Sequence, residues 1–90
     1  ACRLDPAEQV QAAKATEEVT RGEAVGATSN WTSETRDNVS GSSTVASINE
    51  EGSGRKCMTV NDFVIVDGEE TRVSKRMCKG PGDTRYVLAA

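Results

Sequence analysis

Ninety residues make one small domain with little to bury: 36% of the chain is hydrophobic, and only Trp31, Phe63 and Tyr86 are aromatic. A net charge of −3 argues against a nucleic-acid partner, which needs clustered Lys and Arg in excess. No apolar run approaches the roughly 18 residues that span a bilayer, and histidine, the commonest general base and zinc ligand, is absent from the sequence.

The first element is a helix over about residues 4–21. Asp5 is placed as N-cap, Pro6 suits the first helical position, and Glu8 stands three residues after the cap, as a capping box requires. Ala, Gln, Glu and Lys fill the interior, and Gly22 offers a stop. Leu4, Ala12, Ala15 and Val19 share one side as a weak apolar stripe, while Val10 and Ala13 point elsewhere.

From residue 27 onward Ser, Thr, Val, Gly and Asn dominate, a composition of strands and turns. Turn signals at Asp37-Asn38, Glu51-Gly52-Ser53-Gly54, Asp67-Gly68 and Gly80-Pro81-Gly82-Asp83 separate strands expected at about 29–36, 42–49, 56–66, 69–78 and 84–89. The expected class is α+β: an N-terminal helix on a four- to five-stranded antiparallel meander covering about 28–89, with residues 4–90 forming one domain. Trp31 reads as a core anchor beneath the helix, with a ligand platform as the alternative.

Asp67-Gly68 is the strongest local signal, because a two-residue type I′ turn needs positive φ at both positions. With that turn Val66 faces Glu69, and nine residues further out on each strand Cys57 faces Cys78. Alternation makes this a non-hydrogen-bonded pair, with Cα atoms about 4.5 Å apart, inside the range that a disulfide accepts. A three-residue loop would misalign the sulfurs. The expected cross-strand disulfide closes a loop of about twenty residues and implies an oxidising compartment; the alternative is two reduced cysteines buried in a cytosolic sheet. In this register Met58, Val60, Val64, Val66, Val73 and Met77 share the face expected to form the core, and Thr59, Asn61, Phe63, Ile65, Glu70, Arg72, Ser74 and Arg76 share the other.

No catalytic or metal-binding constellation stands out, and no cofactor motif is present. The cysteines lack CxxC spacing, the glycines sit singly in turns, and Glu17-Glu18, Glu50-Glu51 and Glu69-Glu70 read as solvated surface. Arg72, Lys75, Arg76 and Lys79, with Arg55 and Lys56 opposite, form one basic concentration. Two readings stand: contact with an anionic envelope surface, or, since strand alternation turns Lys75 and Lys79 opposite to Arg72 and Arg76, edge charge that discourages aggregation. Asn30-Trp31-Thr32 and Asn38-Val39-Ser40 match the glycosylation pattern, which matters only in a eukaryotic secreted protein.

The order of features resembles the C-terminal domain of the bacterial 17 kDa surface-antigen family, which are outer-membrane lipoproteins. An alanine-rich helix opens with Asp and closes at Gly22. Trp31, Asn38-Val39-Ser40-Gly41, Gly54-Arg55-Lys56-Cys57, Val66-Asp67-Gly68 and Met77-Cys78-Lys79 then follow in turn. The sequence departs from that pattern at Met58, where the family tends to have Arg, and at Tyr86, where Trp is common; a glycine-zipper segment is not among these residues. The resemblance implies a non-enzymatic, lipid-anchored protein of the cell envelope, periplasmic or surface-facing, with a structural role or one in binding an envelope protein or glycan. It also gives Cys2 a role. Ala1-Cys2 looks like the end of a signal peptide at a lipobox, so residues 1–3 are expected to be an N-terminal tether with the lipid on Cys2. The alternative is a small secreted protein-binding or inhibitor module.

Overall fold

The computed structural model describes residues 3–89. One helix, α1 (Pro6–Gly22), precedes five strands: β1 (Thr28–Thr32), β2 (Val39–Glu50), β3 (Lys56–Val66), β4 (Glu69–Lys79) and β5 (Val87–Leu88). All neighbours are antiparallel, and the spatial order β1-β2-β3-β4-β5 is the chain order, so the sheet is an open meander.

The capping box forms as expected. The Asp5 carboxylate accepts the Glu8 N–H at 2.8 Å, and Glu8 Oε1 accepts the Asp5 N–H at 2.9 Å. The helix ends at Gly22 as expected, and the left-handed residue that caps it is Glu23, at φ 48° and ψ 43°. A non-glycine residue there costs about 1–2 kcal/mol. The Glu23 carboxylate offsets that cost by binding Lys79 at 2.9 Å and the Tyr86 hydroxyl at 2.9 Å.

Asp67 (φ 50°) and Gly68 (φ 83°) supply the two positive dihedrals of the tight turn. The ladder runs without a slip from Val66/Glu69 to Lys56/Lys79, and Cys57 faces Cys78. The two are joined in a disulfide, with Cα atoms 4.1 Å apart. Between β2 and β3 the register shifts once, between Val45 and Ser47, where Ala46 forms a bulge.

The strands at the sheet's ends depart from the expected bounds. β1 stops at Thr32, because residues 33–36 turn back to engage the start of α1 instead of continuing the ladder. β2 begins at Val39, earlier than expected, and β5 is only two residues long.

Helix α1 lies across β1 and β2 and buries two apolar clusters. Val19, Val45, Met58, Val60 and Tyr86 form one, and Ala15, Trp31, Val39 and Val66 form the other. Leu4 and Ala12 flank the second, so the weak stripe on the helix is the docking face and Trp31 sits beneath it. Val73 is the exception among the residues expected in the core. It lies on the correct face yet is 54% exposed, because the helix ends its coverage before β4.

A polar seam joins helix to sheet between the clusters. Thr16 and Ser43 share a hydrogen bond at 2.9 Å, Ser43 donates to Asp62 at 2.6 Å, and Lys75 reaches both Asp62 (2.6 Å) and Thr16 (2.8 Å). Among the described residues no buried side-chain polar atom lacks a partner, which is what a buried seam requires to avoid a desolvation cost of about 1–3 kcal/mol per group.

Candidate functional site

Because α1 does not reach across β4, its flank and the half-buried end of β4 leave a groove of about 460 Å³. Ala13, Thr16, Glu17, Thr20 and Arg21 form the helical wall, Lys75, Met77 and Lys79 the floor, and Thr84, Arg85, Tyr86 and Leu88 the closed end. Helical spacing sets the wall, since residues three and four apart stack on one side. Strand alternation sets the floor: residues 75, 77 and 79 face the helix, while 74, 76 and 78 face away.

Glu23 organises the closed end. Its carboxylate accepts from Lys79 and Tyr86 and lies 3.4 Å from Lys56. The Lys79 hydrogen bond, then that of Tyr86, lowers its pKa to about 2 against the opposing effect of burial. Burial and the adjacent Glu23 carboxylate raise the Tyr86 hydroxyl to about 12. The Lys79 ammonium also sits 5.1 Å from the centre of the Tyr86 ring. The groove therefore offers an apolar strip of Ala13, Met77 and Leu88 within a polar rim. Its acids lie against cations, Glu17 on Arg21 (3.0 Å) and Glu23 on Lys79. Among the described residues no group of His, Cys, Asp and Glu could hold a metal ion, and no helix is long and apolar enough to cross a membrane.

The second anchor lies at the opposite end of α1. Glu8 is fully buried, held by Arg36 through two nitrogens, by Ser33 and by the Asp5 N–H. The Arg36 hydrogen bond dominates and, opposed by burial, lowers the Glu8 pKa to about 2. Both carboxylates have folded pKa values below the ordinary 4.5. Their contribution to stability is therefore complete above that pH and is lost as pH falls towards about 2. The urea midpoint should drop between pH 6 and pH 2.5, and Glu8→Gln should shrink the drop. Equal midpoints at the two pH values would refute this account.

The four basic residues singled out from the sequence do not make one patch. Lys75 and Lys79 face the groove, paired with Asp62 and Glu23. Arg72 and Arg76 face the opposite side, 3.9 Å from Glu70 and 3.7 Å from Glu51. Arg72 also lies 5.3 Å from the centre of the Phe63 ring, on an open face otherwise lined by Ser42, Thr44, Asn61 and Ser74. Cys2 lies outside the described residues, but its neighbour Arg3 pairs with Glu69 at 2.9 Å beside the Asp67-Gly68 turn. Sequence reasoning missed Arg36 and Glu23. Nothing local announces a Glu8–Arg36 pair, although an acid directly after a helix-ending glycine was a signal that could have been weighed for Glu23.

No family model, curated protein or solved structure matches the chain.

Proposed function

We propose that this chain is the folded domain of a non-enzymatic bacterial cell-envelope protein, a surface antigen or lipoprotein held at the outer membrane by a lipid on Cys2. The observation that carries this reading is the Cys57–Cys78 disulfide within an unslipped hairpin ladder, a bond that persists in oxidising compartments. The ordered likeness to the surface-antigen family supports it. The Arg3–Glu69 pair adds a direction, since it brings the residue next to Cys2 to the hairpin-turn end of the sheet. A tether there leaves the disulfide about 30 Å away along β3, at about 3.3 Å per residue. The groove and its Tyr86 end then face outward, available to an envelope protein or glycan.

The reading is tested by mass spectrometry of the protein from its own organism, intact and after non-reducing digestion. The expected result is a linked Cys57–Cys78 peptide together with a diacylglyceryl-modified Cys2. Free Cys57 and Cys78 in freshly isolated material would remove the compartment on which the reading stands. A linked pair with unmodified Cys2 would favour the second reading, a small secreted protein-binding or inhibitor module, for which the exposed β4 edge provides a docking strand.

A further inference from the structure

Strand β5 covers only the last part of β4. It pairs with Met77 and Cys78, and the Ala89 N–H bonds the Arg76 carbonyl at 2.8 Å. That bond also fixes which backbone groups of β4 face outward. Alternation makes them those of the even-numbered residues, so Glu70, Arg72 and Ser74 present unpaired N–H and C=O groups along the edge. Residues 69–74 are all exposed.

We propose that this edge pairs with the same edge of a second copy of the chain, antiparallel about a two-fold axis through Thr71. The choice of register rests on charge and on the reach of β5. A two-fold axis normal to a continuous sheet keeps each face on its own side, so it must pass through a single residue of β4. With Val73 on the axis, the second copy's Glu70 would need the position at Arg76, whose carbonyl already serves Ala89. Its Glu69 would also meet Met77, which Leu88 occupies. With Arg72 on the axis, two guanidinium groups would face each other on the same side of the sheet, and like charges directly opposite are destabilising. With Thr71 on the axis, Glu70 of each copy faces Arg72 of the other in a hydrogen-bonded pair, and this occurs twice. Uniform charge would bar every such contact; the alternating signs of Glu70 and Arg72 admit this one. The ladder is short, so the dimer belongs to the weak, concentration-dependent class.

The geometry gives a sharp test. Residues of β4 whose backbone groups turn towards β3 form non-hydrogen-bonded pairs across the new edge, with Cα atoms about 4.5 Å apart at the axis, a separation that a disulfide accepts. In the full chain carrying Cys2→Ala, Thr71→Cys should oxidise to a covalent dimer at least ten times faster than Val73→Cys at the same concentration. Adding Glu70→Arg to Thr71→Cys should abolish that advantage, and the swap Glu70→Arg with Arg72→Glu should restore it. Both cysteines lie at exposed positions, and circular dichroism checks that each variant is folded. Cross-linking of Val73→Cys equal to or faster than that of Thr71→Cys, or a Thr71→Cys rate indifferent to the charge changes, overturns the proposal.

Discussion

Trp31→Ala should destabilise the domain by about 3–5 kcal/mol, a large share of the 5–15 kcal/mol that holds a typical small protein together. The indole is 9% exposed and fills the second cluster with Ala15, Val39 and Val66. Its cross-strand partner is Gly41, and the reason is spatial: a Cβ at Gly41 would lie 2.6 Å from the Trp31 ring. Aromatic side chains laid over a strand glycine cover the backbone that the missing side chain leaves bare. The two positions are therefore coupled. Gly41→Ala should be costly in the native chain and nearly harmless, or stabilising, in the Trp31→Ala background, where the added methyl enters vacated space. Urea unfolding of the two single variants and the double variant measures this coupling directly. Additive losses would show that the ring and the glycine do not meet.

Replacing both Cys57 and Cys78 with alanine should cost about 3 kcal/mol, from the loop entropy returned to the unfolded chain. The sequence separation of 21 residues sets that size. Both side chains are buried, so alanine serves better than serine, which would leave an unpaired hydroxyl. The loss should appear as a lowered urea midpoint, matched by the native chain in reductant. A midpoint unchanged by either treatment would mean that the ladder alone holds β3 to β4.

The hairpin was legible because its information is local and redundant. Asp67-Gly68 sets the turn, the turn sets the register, and Cys57 and Cys78 agree with that register. The helix was equally legible from Asp5, Pro6 and Glu8. The sequence places Trp31 beneath the helix, but it does not carry how far the helix reaches across the sheet. Val73 has the pattern of a core residue, yet its burial depends on how far α1 reaches, which is set by Trp31 stacking on Gly41 and by Glu8 meeting Arg36 from 28 residues away. No periodicity encodes such a pairing. The groove follows from the same fact, since it is the part of the sheet that the helix leaves bare.

The meander has a kinetic consequence. Every strand meets only the strand beside it in the chain, so no ladder must wait for distant segments to find each other. Loop closure before pairing is short at every step, which places refolding towards the fast end of the range for β-rich domains. The tight Asp67-Gly68 turn sets the register that brings Cys57 opposite Cys78, so the sulfurs meet across a local hairpin and not through a long-range search.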